Sequence, residues 1–150
     1  MKAAAFDYLR PQDVPEAVKA LADAAGEAKA FAGGQSLGPM LNLRLARPKL
    51  LVDVGRMESL RTIEDGGTFW RIGASVTHSA LEDAKLPGGE VLSAVARNIA
   101  YRAIRNRGTI GGSLAHADPA ADWPLALAAL GATLRVAGPA GERRVPADTF

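Results

Sequence analysis

Apolar residues recur along this chain in two rhythms, and the switches between them mark out its elements. Val14, Ala17, Val18, Leu21 and Ala25 fall at the three- and four-residue spacing of a helix with one buried face. Asp13 followed by Glu16, with Pro15 in the first turn, forms a capping-box pattern at its start, and Gly26 is placed to end it. Lys29 to Ala32 predicts a short strand, Leu37 to Leu45 a helical turn with Leu41 and Leu45 facing inward, and Leu50 to Val54 a buried strand. Strand, Gly-Gly turn, helix, strand is a parallel βαβ-like order, with the turn at the carboxyl edge where ligands are favoured.

Past this unit the pattern changes. Leu60 to Glu64 and Thr68 to Gly73 predict a hairpin around Asp65-Gly66-Gly67, a turn sequence that accepts positive φ. Thr77 is placed to cap a helix that contains Glu82 and Asp83 and ends before Pro87-Gly88-Gly89. Glu90 to Ala103 predicts one further helix, with Val91, Leu92, Val95, Ala96 and Ile99 as its apolar stripe. Arg105 to Pro119 is too rich in glycine and polar residues for regular structure and predicts a long functional loop. Asp122 to Leu130 returns to helix, and Thr133 to Ala137 with Arg143 to Val145 predicts a closing hairpin across Gly138 to Gly141. The chain then stops at Asp148-Thr149-Phe150 directly after a strand, the pattern expected of a fragment.

Composition narrows the function classes. Among 150 residues 48% are apolar, enough for one domain or two small subdomains sharing a core. Trp123 to Leu130, the longest strongly apolar stretch, is too short to cross a bilayer, and no charged leader precedes an apolar core near Lys2, so a cytoplasmic location without membrane insertion is expected. Cysteine is absent, which excludes thiolate-ligated zinc and a cysteine-held iron–sulfur cluster on this chain. His78 and His116 lie far apart and make no metal spacing, so no metal site is expected, and His78 reads as structural. A net charge of +2 carries no global pull towards nucleic acid, and Tyr101 alone offers no stacking platform beside Arg102, Arg105 and Arg107. Those arginines read either as phosphate partners or as a solvated face.

Candidate chemistry concentrates in two glycine-bearing segments. In Ala32-Gly33-Gly34-Gln35-Ser36-Leu37 the glycines permit close backbone approach to a diphosphate and Gln35 and Ser36 add donors, although an ordinary strand-to-helix turn has the same look. Neither the dinucleotide Gly-x-Gly-x-x-Gly fingerprint nor a P-loop occurs in this first unit. In Asn106-Arg107-Gly108-Thr109-Ile110-Gly111-Gly112-Ser113 the hydroxyls of Thr109 and Ser113 suit phosphate or sugar oxygens. Asp118 or Asp122 can hold ribose or ribityl hydroxyls, or Asp122 can simply cap the next helix, and His116 reads equally as a ligand contact or a loop histidine. No nucleophile–base pair is present, so no catalytic residue is expected and the chemistry falls to a cofactor.

These three motifs, with Ala117-Asp118-Pro119-Ala120-Ala121-Asp122 as the last, resemble the FAD-binding medium subunits of the molybdenum hydroxylases, the family that includes carbon monoxide dehydrogenase and xanthine dehydrogenase. The resemblance covers essentially the whole chain. It implies an α+β fold of the vanillyl-alcohol oxidase type, in two subdomains: residues 1–56 with a small parallel sheet and helices, and residues 57–150 with a mainly antiparallel sheet and helices. It implies FAD between them, with Ala32, Gly33, Gly34, Gln35, Ser36 and Leu37 as the first diphosphate loop and Gly108, Thr109, Gly111, Gly112 and Ser113 within the second. Ala100 and Ile104 would line the cleft, His116 would sit beside the cofactor and Asp122 would bind a cofactor hydroxyl. The implied partners are a molybdenum-cofactor large subunit and a 2Fe-2S small subunit, as a heterotrimer or its dimer, with electrons passing from the clusters through flavin to an external acceptor. Family subunits continue for well over a hundred residues beyond the equivalent of Phe150. The alternative is a non-catalytic docking module of the same fold that has lost flavin.

Overall fold

The computed structural model describes residues 2–150 and opens with a strand that the apolar rhythm does not announce. Strand β1 (Asp7–Leu9), helix α1 (Val14–Asp23), strand β2 (Ala28–Phe31), helix α2 (Leu37–Asn42) and strand β3 (Leu50–Asp53) form the first layer. All three strands run parallel in the order β1-β3-β2, with Asp7 and Ala28 both in register with Leu50. β3 is therefore central, and Leu51, Val52 and Asp53 are all buried. Leu50 to Val52 is apolar, as a strand paired on both sides needs, and the buried Asp53 is satisfied by hydrogen bonds from the Gly55 N–H and the Tyr8 hydroxyl. β1 escapes the pattern because it is an edge of three residues in which only Leu9 is even half-buried. Asp13 accepts from the Glu16 N–H at 2.8 Å as the helix α1 cap, and Glu16 returns a bond from the Gln12 N–H. α1 covers one face of the sheet, where Ala17 packs with Ala28, Val52 and Met57.

A 3₁₀ turn (Glu58–Leu60) leads into the hairpin β4 (Ile63–Asp65) and β5 (Trp70–Ile72), closed by Asp65 accepting from the Gly67 N–H with Gly67 at φ +82°. Helices α3 (His78–Asp83), α4 (Glu90–Asn98), α5 (Arg102–Arg105), α6 (Ile110–His116) and α7 (Asp122–Ala129) follow, then the hairpin β6 (Thr133–Gly138) and β7 (Gly141–Pro146). Trp123 and Leu81, both 0% exposed, centre a second cluster with Val76, Leu92, Ala96 and Ile110. The two halves are stitched by Ser75, whose N–H reaches the Leu60 carbonyl at 2.8 Å and whose Oγ donates to the Val54 carbonyl at 2.9 Å. Among the described residues, no helix is long and apolar enough to cross a membrane.

Leu45, expected to face inward, is 72% exposed, because α2 ends at Asn42 and Arg44 takes φ +57°, and the helices that follow need correction as well. The helix expected from Glu90 to Ala103 ends at Asn98, because Ala100 takes φ +40° and the chain restarts as α5 at Arg102. The segment expected as a loop from Arg105 to Pro119 contains α6, capped by the Thr109 hydroxyl accepting from the Gly112 N–H at 3.1 Å. Glycine propensity is overridden there by packing, since a Cβ on Gly111 would stand 2.5 Å from that of Ala74.

Candidate functional site

The carboxyl edge of the parallel sheet opens onto a cleft of about 420 Å³, bounded on one side by residues 29–37 and on the other by residues 108–116. Such a volume falls within the roughly 300–1,000 Å³ of small-molecule sites. Both glycine-bearing segments contribute: Ala32, Gly33, Gly34, Gln35, Ser36 and Leu37 line one wall, and Gly108, Thr109, Gly111, Gly112, Ser113 and His116 line the other. Ala100, Ile104 and Asp122 are not among the lining residues. Ala100 and Ile104 instead serve the second wall from behind: the Ala100 carbonyl accepts from Arg105 at 2.9 Å, and the Ile104 carbonyl accepts from the Gly108 N–H at 2.8 Å. Asp122 begins α7 without capping it, and its exposed carboxylate has no hydrogen-bond partner among the described residues. Asp118 closes a local turn by accepting from the Ala120 N–H at 2.9 Å.

The two walls offer different chemistry. In the first, the N–H groups of Gly33, Gly34, Gln35 and Ser36 have no protein acceptor among the described residues, and the Ser36 hydroxyl is likewise unpaired. Gln35 folds back to donate to the Gly33 carbonyl at 3.1 Å, which stiffens the turn. In the second wall the N–H groups of Gly108, Ile110, Gly111, Gly112 and Ser113 are all spent on protein acceptors, leaving that of Thr109 unpaired. That wall's offering is the Ser113 hydroxyl and a backbone surface bare of side chains. Lys29 and His116 are the ionisable side chains in the lining, and no carboxylate faces the cleft. Unpaired donors without nearby negative charge suit a phosphate-bearing ligand.

Glycines make the walls meet. A Cβ on Gly33 would lie 2.0 Å from the Arg107 carbonyl oxygen, so the two segments touch backbone to backbone. Gly34 holds φ +70° over the Phe31 ring, a conformation costly for any side chain. Gly55 packs against the Ala32 backbone, and its N–H is held at 3.0 Å by buried Asp53, which also accepts from the Tyr8 hydroxyl.

The arginine cluster resolves into pairs. Arg102 binds Asp83 and Glu82, while Arg105 binds Glu82 at 2.8 Å and the carbonyls of Ile99 and Ala100. The Arg105 guanidinium holds the Glu82 carboxyl below the usual carboxylate range, and Arg102 does the same for Asp83. Arg107 is in no ion pair among the described residues. Behind the second wall, burial and then the Arg105 charge push the His78 imidazole down to about 4, so it is neutral at physiological pH. Sequence reasoning passed over Met40, Val54, Ala74 and Ser75 as cleft residues, and the Ser75 hydroxyl, at the join between the halves, gives no motif to find it by.

Residues 4–150 match the family model for the FAD binding domain in molybdopterin dehydrogenase. The chain belongs to that family. The family's own description thus supplies FAD as the ligand of this kind of domain. Among curated members, it is 46% identical to the 6-hydroxypseudooxynicotine dehydrogenase complex subunit alpha of Paenarthrobacter nicotinovorans, over 97% of this chain and 50% of that one. It is 42% identical to the carbon monoxide dehydrogenase medium chain of Hydrogenophaga pseudoflava, over 97% of this chain and 51% of the relative. The solved carbon monoxide dehydrogenase of that organism superposes with a TM-score of 0.95 at 41% identity, covering 99% of this chain and 52% of that one. Quinoline 2-oxidoreductase from Pseudomonas putida 86 gives 0.93 at 42% identity, over 98% and 52%. The α+β fold of a parallel three-stranded sheet with helices followed by small antiparallel sheets matches the carbon monoxide dehydrogenase structure. The chain spans about half the length of the curated relatives it matches.

Proposed function

We propose that this chain forms the FAD cleft of the flavoprotein subunit of a molybdenum hydroxylase, an oxidoreductase in which electrons pass from 2Fe-2S clusters through flavin to an external acceptor. The row of unpaired N–H groups from Gly33 to Ser36, facing a wall that carries no carboxylate, is the observation that carries the reading. A diphosphate has many acceptor oxygens and no donors, so it satisfies these groups without a cationic side chain. FAD, when bound, supplies the capacity to take up two electrons together and release them singly.

In this reading Gly33, Gly34, Gln35 and Ser36 bind diphosphate oxygens, the Ser113 hydroxyl and the Thr109 N–H close on them from the other wall, and His116 lies beside the cofactor. Ala32 and Leu37 flank the first loop, while Gly108, Gly111 and Gly112 keep the second wall bare. Asp122, exposed and unpaired, is the candidate for a cofactor hydroxyl, and Ala100 and Ile104 support the second wall from behind rather than lining it. The two hydrophobic clusters support dividing the chain into subdomains 1–56 and 57–150, with Met57 and Leu60 packing back onto the first. The partners that fit are a molybdenum-cofactor large subunit and a 2Fe-2S small subunit, as a heterotrimer or its dimer in the cytoplasm. The relatives' names support assembly, one being a complex subunit alpha and another a medium chain.

Incubation with FAD followed by gel filtration tests the reading. A visible flavin absorbance that co-elutes with the protein and bleaches on reduction is the expected result. Protein that stays colourless after FAD addition, alone and with its partner subunits, overturns it.

A further inference from the structure

Behind the second wall stands a histidine that takes no part in the proposed binding contacts. His78 begins α3 and is 5% exposed. Its N–H donates to the Gly108 carbonyl at 2.9 Å, and its Nδ1 accepts from the Trp123 Nε1–H at 3.1 Å. The far edge of the ring presses on the loop: a Cβ on Gly108 would lie 2.8 Å from both Cδ2 and Nε2. Trp123 is 0% exposed and anchored in the larger hydrophobic cluster. A continuous line of contact therefore runs from the core, through the imidazole, to the backbone of the second wall.

We propose that His78 is the positioning residue of that wall, its neutral imidazole wedging the Gly108–Ser113 segment against the first loop so that the cleft keeps its FAD-binding shape. The inference deepens the FAD reading and rests on it. An indole N–H can only donate, so Nδ1 must carry no proton, and the ring's single proton sits on Nε2. Protonation sets one N–H against another and places a cation in the core. The charge acting on the ring is Arg105 on α5, itself paired with Glu82 on α3; α7 meets the ring with Trp123 and the loop meets it with Gly108, neither of them ionisable. Burial and Arg105 together lower the imidazole to about 4, so the wedge holds at neutral pH and fails in acid.

The chain has two histidines, which makes an NMR titration of the full chain without FAD simple to assign. The expected result is that the His78 ring titrates near 4 as the Nε2–H tautomer, and that the Gly108 to Ser113 amide signals shift with the same midpoint. FAD affinity, followed by flavin fluorescence, should fall through that midpoint. His78→Asn keeps an acceptor for the indole but lacks the ring edge against Gly108 and does not titrate, so it should bind FAD more weakly than the natural chain at neutral pH and lose the acid transition. His78→Leu should bind FAD about tenfold or more weakly, because the indole N–H is left unpaired. Trp123→Phe removes the donor and should move the His78 midpoint upwards, a shift that does not depend on FAD.

Loop amides that stay still while His78 titrates, or a His78→Asn chain that keeps the acid transition, overturn the proposal and leave the cofactor reading standing. Loop amides that follow His78 in a chain that binds no FAD, alone or with its partner subunits, support the wedge and overturn the cofactor reading instead.

Discussion

Gly33 and Ser113 line opposite walls of the cleft, and substitutions at the two should read out differently. Gly33 also holds the walls together: Gly33→Ala drives a methyl into the Arg107 carbonyl and should cost on the order of 3 kcal/mol by chemical denaturation. Ser113 is there for the ligand, since its hydroxyl lines the cleft and has no partner among the described residues. Ser113→Ala should weaken FAD binding by about fivefold, the worth of one hydrogen bond, with an unchanged melting temperature. His78 supplies a pH dependence at the same scale. Its folded pKa of about 4 lies below the unfolded 6.5, so between those values the unfolded chain holds the extra proton. Stability contributed by the neutral ring is complete above 6.5 and is lost as pH falls towards 4, on the order of 3 kcal/mol in total. Denaturant midpoints measured from pH 7 to 4 should fall in the natural protein and fall less in His78→Asn.

At the scale of elements, helices with one apolar stripe were legible and helices made by tertiary packing were not. α1 announces itself through Asp13, Glu16 and its spaced apolar positions, and its cap forms as read. α6 does not, because Ile110-Gly111-Gly112-Ser113 has poor helix propensity and is held by contacts with Ala74 and Val76. Its one local signal is Thr109 three residues before Gly112. Thr109→Val should therefore cost about 1 kcal/mol and loosen the second wall, seen as faster amide exchange from Gly112 to Ser113. The long helix expected beyond Asn98 fails for a related reason, since the stripe through Ile99 gives no warning that Ala100 will turn left-handed. The two glycine-bearing segments were legible as a pair, yet which wall keeps free N–H groups depends on distant carbonyls such as those of Ala74 and Val76. No local pattern contains that information.

For the molecule as a whole, the cleft has one wall from residues 29–37 and the other from residues 108–116, so a ligand touching both walls should stabilise them together. FAD at a hundredfold excess over its dissociation constant should add about 2.7 kcal/mol to unfolding, and a melting temperature insensitive to FAD would contradict the bridging arrangement. The order β1-β3-β2 has a further consequence, one of timing. Neither of the first two strands made can pair with the other, because both take their partner from Leu50–Asp53. During synthesis Asp7–Leu9 and Ala28–Phe31 emerge with their backbone groups unmatched, and the sheet becomes possible only when the last of its three strands leaves the ribosome.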